Sequence, residues 1–130
     1  MTNTPWPHFS EAELRCHCGC GRQEMDGDFL LALEKLRMAY GKPMPVSSGY
    51  RCPAHNAALS TTGTEGPHTT GKAVDILVAG ADAHHLLTLA LQHGFTGVGL
   101  SQKGPHEKRF IHLDTISSGS GYPRPALWTY

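Results

Sequence analysis

The sequence predicts a domain of mixed helices and strands without internal repeats. Apolar residues recur at helical spacing at Phe29, Leu33, Leu36 and Tyr40. Short apolar runs over 72–78 and elsewhere have the length of strands. The chain has 130 residues, which is enough for one compact core, so we expect residues 1–130 to form a single domain.

The first two helices are predicted from their ends. Ser10 and Glu13 form a capping box that begins a short helix. Asp26 can cap the longer amphipathic helix, which Gly41 and Pro43 should end. The apolar positions of that helix are therefore expected in the core.

The remaining elements are shorter. We expect strands over 44–48, 72–78, 98–101 and 109–113, helices over 53–59 and 82–93, and a polar loop over 60–66. The stretch from Ser117 to Tyr130 is rich in Gly, Ser and Pro and predicts an irregular tail. Its aromatic residues either hold this tail on the body or form a platform for a substrate.

Charge argues against two classes of partner. Lys+Arg and Asp+Glu both number 11, so the neutral chain offers no electrostatic attraction for nucleic acid or an anionic membrane. No apolar run has membrane-spanning length. The first residues lack the basic and apolar regions of a signal peptide, so we expect synthesis in the cytoplasm and export, if any, by another route.

The candidate metal-binding residues are two histidines and an aspartate. His68 precedes Asp75 by seven residues with Gly71 as a hinge between them, and His112 lies on a later apolar strand. If the two strands are neighbours, Asp75 and His112 meet at about 5 Å. This is a three-ligand set for a catalytic zinc, which leaves a coordination position open for water.

Strand alternation makes Asp75 a carboxylate on an otherwise apolar face, which is costly unless it is paired or bound to metal. A simpler alternative fits the spacing as well. Asp75 and His112 could form a buried hydrogen-bonded pair, with His68 an unrelated surface residue.

Several motifs, taken in order, resemble the zinc D-alanyl-D-alanine carboxypeptidase family, most closely its small murein-peptidase branch of phages and bacteria. They are Phe9-Ser10-x-x-Glu13-Leu14-x-Cys16-x-Cys18-Gly19-Cys20, Ser47-Ser48-Gly49-Tyr50-Arg51-Cys52-Pro53, His55-Asn56, His68-x-x-Gly71-x-Ala73-x-Asp75-Ile76 and Phe110-Ile111-His112-Leu113-Asp114. The resemblance implies an α+β fold, a small antiparallel sheet with helices on one side, as in lysostaphin-type peptidases and the hedgehog signalling domain. It also implies that His68, Asp75 and His112 bind Zn2+.

The family resemblance implies a function. The expected activity is zinc-dependent hydrolysis of a peptide bond in the peptidoglycan stem peptide, by a monomeric D-Ala-D-Ala carboxypeptidase or murein endopeptidase, with a phage endolysin as one form. Arg51 matches the arginine that binds the substrate or stabilises the charge of the tetrahedral intermediate. The alternative is a catalytically silent zinc-binding module of the same fold.

The general base is not fixed by the resemblance. The family commonly has an acidic residue three positions before the last histidine ligand, where this chain has Arg109. Glu107 is the nearest upstream acid and the first candidate. Asp114 and His106 are alternatives, and Asp114 could instead orient His112.

Four cysteines complete the set of candidate residues. Cys16, Cys18, Cys20 and Cys52 could bind a structural zinc, although Cys-x-Cys-x-Cys lacks the usual two-residue gap between ligands. In an oxidising compartment Cys52 could pair with one of the other three. They could also be free thiols.

Overall fold

A computed structural model describes residues 4–59, 66–119 and 121–130. The helices are α1 (Glu11–Leu14), α2 (Gly27–Tyr40), α3 (Pro53–Leu59) and α4 (Gly80–Gln92), with 3-10 turns at Pro67–Thr70 and His106–Lys108. The strands are β1 (Val46–Ser48), β2 (Ala73–Leu77), β3 (Gly97–Ser101), β4 (Phe110–Asp114) and β5 (Ala126–Thr129). Most of the predicted polar loop over 60–66 lies outside the described residues.

Both predicted helix caps are confirmed. The Ser10 side chain accepts from the Glu13 amide, and the Glu13 carboxylate accepts from the Ser10 amide. The Asp26 carboxylate accepts from the Phe29 amide at 2.9 Å. Gly41 ends α2 in the left-handed region, at φ 73°. These local interactions explain why the boundaries of α1 and α2 could be predicted.

The five strands form one sheet in the order β1-β2-β4-β3-β5. The first four are antiparallel to their neighbours, whereas β5 runs parallel to β3, so the sheet is mixed. The α+β class is confirmed, but the expectation of an irregular tail is wrong for β5. The reason is the free edge of β3. The carbonyl of Thr96, just before this strand, accepts a hydrogen bond from the Ala126 amide, and the carbonyl of Leu100, within it, accepts one from the Tyr130 amide.

Helices α2 and α4 cover one face of the sheet. Alternation along β2 and β4 directs the fully buried Val74, Ile76, Ile111 and Leu113 toward this face. The apolar residues that meet them from the helices are Phe29, Leu30, Leu33, Leu36, Ala83, Leu86 and Ala90. The hydrophobic core therefore lies on one side of the sheet and leaves the other side for polar residues.

The opposite face carries the candidate metal ligands. Asp75 of β2 is directly opposite His112 of β4, as the sequence predicted, and Gly99 of β3 is the next residue in the same row. Trp128 of β5 completes the row beside Gly99. A Cβ atom on Gly99 would lie 2.4 Å from Trp128 Nε1, so the glycine provides the space in which the indole approaches His112.

The 3-10 turn that carries His68 depends on Gly71. This glycine has φ 77°, and a Cβ atom there would lie 2.2 Å from the carbonyl oxygen of Glu24. Its own carbonyl accepts from the Asp26 amide at 2.8 Å. The predicted hinge is therefore present, and it also attaches the turn to the segment that begins α2.

Among the helices within the described ranges, none has the length and apolar character needed to cross a membrane.

Candidate metal centre and cavity

Three buried side chains converge on the polar face of the sheet. Asp75 Oδ1 lies 3.2 Å from His68 Nε2 and 3.1 Å from His112 Nδ1. His68 and His112 are 5 % and 1 % exposed. The alternative in which His68 is an unrelated surface residue is therefore wrong. The three side chains form a group that could hold a metal ion, with ligand atoms within 4.8 Å of one another.

The backbone fixes the orientation of the His68 ring. Its Nδ1 lies 2.8 Å from the carbonyl oxygen of Gly49, which can only accept a hydrogen bond. Nδ1 must therefore carry a proton, and in the neutral ring Nε2 is left as an acceptor. The lone pair of Nε2 faces Asp75.

A buried ion pair fixes the His112 ring in the same way. His112 Nε2 lies 2.7 Å from Asp114 Oδ2. Arg124 donates to both oxygens of Asp114, from Nε at 2.9 Å and from Nη2 at 2.8 Å, and so keeps this carboxylate ionised. Because an ionised carboxylate only accepts, Nε2 of His112 carries a proton. Asp114 thus occupies the orienting position that the sequence left open.

These tautomers place three acceptors together. With neutral rings, His68 Nε2, His112 Nδ1 and the Asp75 carboxylate face one another with no proton between them. Acceptors at this separation repel unless a cation or a proton lies among them. A divalent cation can bind all three atoms at once. Two imidazoles and one carboxylate are a known set of protein ligands for zinc. The residues present therefore fit a zinc site.

Without a metal ion, protons on the histidine rings take the place of the cation beside Asp75. Burial raises the pKa of Asp75, but the charge of His68 and hydrogen bonds to His112 and His68 lower it more, so the pKa lies well below its ordinary value. Burial lowers the pKa of His112, but its hydrogen bonds to Asp114 and Asp75 reverse the effect and raise it. Both shifts stabilise positive charge beside a negative Asp75.

Arg51 lies beside the three ligands. Its amide donates to the His68 carbonyl, its Nη1 donates to Asn56 Oδ1 at 3.3 Å, and its Nη2 lies 3.8 Å from Asp75 Oδ2. Within the described residues, its buried Nε has no hydrogen-bond partner. An unsatisfied buried donor is costly, so this guanidinium has capacity to bind a further acceptor.

A cavity of about 470 Å³ opens over the metal ligands. Its polar lining consists of the three ligands together with Arg51, Asn56 and Arg124. The rest of its wall is formed by Leu59, Pro67 and four aromatic residues, Phe110, Tyr122, Trp128 and Tyr130. Ring centroids lie 5.0 Å apart for His112 and Trp128 and 5.2 Å apart for Phe110 and Tyr130. The C-terminal aromatics therefore hold the tail on the sheet and also line the cavity.

The candidate bases are placed differently. Asp114 is fully buried and lies behind His112. His106 and Glu107 are exposed on their 3-10 turn, and neither lines the cavity. Arg109 donates from Nε to the Gly104 carbonyl at 3.2 Å. The structure thus brings Arg51 and Asp114 to the metal ligands but does not bring Glu107 there.

Sequence reasoning missed Arg124. This residue pairs with Asp114 and stacks on Trp128, with its guanidinium carbon 5.2 Å from the centre of the ring. It lies in a Gly- and Pro-rich segment, where spacing gives no indication of a partner. The available signal was Asp114 itself, because a carboxylate that a strand buries needs a cation.

Removal of Arg124 should destabilise the fold strongly. The side chains of Arg124 and Asp114 are 5 % and 0 % exposed, so Arg124→Ala would leave a carboxylate buried without its cation. We expect the free energy of unfolding in urea to fall by about 3–5 kcal/mol. Lys42→Ala is the control, since Lys42 and Asp82 form an exposed pair and its loss should cost at most about 1 kcal/mol. Equal losses in the two variants would contradict a buried structural pair.

A search of curated proteins found no match for the chain. The model of the family described as Peptidase M15 matches residues 7–114. The match contains all three candidate metal ligands and Arg51, and it ends before Arg124 and β5. Since it spans most of the sequence, the chain belongs to the M15 family of zinc D-Ala-D-Ala carboxypeptidase-type peptidases.

Proposed function

We propose that the protein is a zinc-dependent peptidase that hydrolyses a peptide bond in the stem peptide of peptidoglycan, as a carboxypeptidase or an endopeptidase. The main support is that His68 Nε2, His112 Nδ1 and Asp75 Oδ1 converge at the floor of a cavity. Membership of the M15 family supports the reaction class. The substrate and the zinc ion are part of the proposal.

In this account His68, Asp75 and His112 hold the metal. A zinc ion with an open coordination position polarises a carbonyl and lowers the pKa of a water molecule near it. Hydrogen bonds from His68 to Gly49 and from His112 to Asp114 keep both rings in the ligating tautomer. Asp114 is therefore proposed as a residue that positions His112.

Arg51 is proposed to bind the oxygen on which negative charge develops. Its guanidinium donates to Asn56 and faces Asp75, next to the metal ligands, and its backbone amide donates to the His68 carbonyl. A preorganised donor of this kind stabilises the transition state more than the substrate, because the charge appears only there.

Glu107 is proposed as the general base from its position in the chain. It is the acid nearest to His112 upstream in the chain, and its turn immediately precedes the segment that leads to Phe110 in the cavity wall. Its exposed carboxylate must approach the cavity when the substrate binds. Catalytic hydrogen bonds often form only in the complex with substrate.

Digestion of purified murein tests the proposed activity. The protein should release fragments that mass spectrometry detects, and a chelator should abolish the release until zinc is restored. Free D-alanine would identify a carboxypeptidase, whereas larger fragments would identify an endopeptidase. His112→Ala should lose activity together with the zinc of this site, and the exposed His84→Ala is the matched control. Release that is unaffected by the chelator and by His112→Ala would contradict the proposal.

Arg51→Lys tests the role of the guanidinium. Lysine keeps the charge but lacks the planar fork, so kcat should fall about 10²–10³-fold while zinc content and folding stay unchanged. Arg37→Lys on α2 is a control for the substitution type. Turnover at the wild-type rate in a folded Arg51→Lys variant would rule out transition-state stabilisation by this residue.

Glu107→Gln tests the proposed base. Glutamine keeps the size of the side chain but cannot take up the proton, so the rate should fall about 10²–10⁴-fold with zinc retained. Asp114→Asn should instead weaken zinc binding about 10–100-fold, because it disturbs His112. An active Glu107→Gln variant would exclude this residue as the base.

The rival proposal is a zinc-binding module without turnover. Within the described part of the chain, Asp75 is the only carboxylate that lines the cavity. Arg109 also stands where the family commonly has an acid. A zinc-loaded protein that binds murein but releases no fragment would favour this rival.

A further inference from the structure

The four cysteines form a second cluster on the described chain, separate from the histidine ligands. Their sulfur atoms all lie within 4.8 Å of one another. Among Cys16, Cys18 and Cys52 the Sγ–Sγ distances are 3.4, 3.6 and 3.7 Å. All four are free thiols in the structure.

These separations suit a tetrahedral metal site. An ion about 2.3 Å from each of four sulfurs at the corners of a tetrahedron holds those sulfurs about 3.8 Å apart. A disulfide would instead need one pair of sulfurs about 2.05 Å apart. The sulfurs therefore form one compact group in which no pair is singled out.

The loop that carries Cys16, Cys18 and Cys20 is folded to bring alternate residues together. Gly19 and Gly21 have φ 91° and 74°, and both lie in the left-handed region. The Cys16 amide donates to the carbonyl of Arg22 at 2.8 Å and closes the loop. These two glycines turn the loop sharply, so that its three cysteines converge although Cys-x-Cys-x-Cys lacks the usual two-residue gap between ligands.

Backbone amides also point at two of the sulfurs. The Cys52 amide donates to Cys16 Sγ at 3.3 Å, and the Arg22 amide donates to Cys20 Sγ at 3.5 Å. Such bonds strengthen when the sulfur is a thiolate, the form that binds metal. His17 lies between two of the cysteines in the sequence but is exposed and outside the group.

We propose that the four cysteines bind a second, structural zinc ion. Four protein ligands leave no open coordination position, which is the arrangement of structural and not of catalytic zinc sites. This site does not depend on the proposed peptidase activity.

The second site would connect the N-terminal loop to the catalytic cavity. Cys52 directly follows Arg51, and the Tyr50 amide donates to the Leu14 carbonyl at 2.8 Å. Gly49, one residue earlier, accepts from His68. A metal that joins Cys16, Cys18 and Cys20 to Cys52 therefore holds the segment that orients both Arg51 and His68.

Metal analysis of the purified, reduced protein tests this proposal without an activity assay. The wild type should contain two equivalents of zinc. Cys18→Ser should lose the zinc of the cysteine site and keep one equivalent. His112→Ala should also keep one equivalent, because it loses the zinc of the histidine site instead. The matched control is His17→Ala, in the same loop, which should keep both. One equivalent in the wild type, unchanged in Cys18→Ser, would overturn the proposal.

Cobalt and thiol counting identify the ligands. Cobalt added to metal-free protein should produce a thiolate-to-metal charge-transfer band in the wild type and in His112→Ala, and no such band in Cys18→Ser. After denaturation in chelator without reductant, four thiols per chain should react with a thiol reagent. Two reactive thiols would show a disulfide, and iron in place of zinc would show a different ion; either result would overturn the proposal.

Discussion

The site depends on one interaction, the meeting of three acceptor atoms on a water-poor face of the sheet. Asp75, His68 and His112 repel one another unless positive charge lies among them, because the second nitrogen of each ring is already committed. The fold therefore holds the ligands in a conformation that a cation stabilises. Binding of zinc would in turn stabilise the fold, since the unfolded chain has no such site.

The two faces of the sheet have different roles, since one packs in the hydrophobic core and the other carries the metal ligands. Its inner face packs against α2 and α4, and its outer face carries the row Asp75–His112–Gly99–Trp128. A one-residue slip of β4 would move His112 into the apolar core. The same core that stabilises the domain therefore also sets the register of the metal ligands, and the gap at Gly99 admits the indole that packs on His112.

Local and periodic features could be predicted from the sequence, and long-range polar contacts could not. The helix caps and the Asp75–His112 pairing follow from hydrogen bonds between near neighbours and from strand alternation. The role of Arg124 depends on how a Gly- and Pro-rich segment returns to the sheet, and β5 forms because β3 has a free edge. The convergence of four cysteines likewise depends on two left-handed glycines that spacing rules do not anticipate.

Anomalous diffraction at the zinc absorption edge, from crystals of the protein, would locate the metal and the atoms that bind it. We expect a peak bonded to His68 Nε2, His112 Nδ1 and an oxygen of Asp75, with Asp114 still hydrogen-bonded to His112 Nε2 and paired with Arg124. Zinc bound to Nε2 of His112, with Asp114 displaced, would contradict the orientation of the ligands derived from the sheet. The absence of a peak among these three residues in zinc-loaded crystals would contradict the metal site itself.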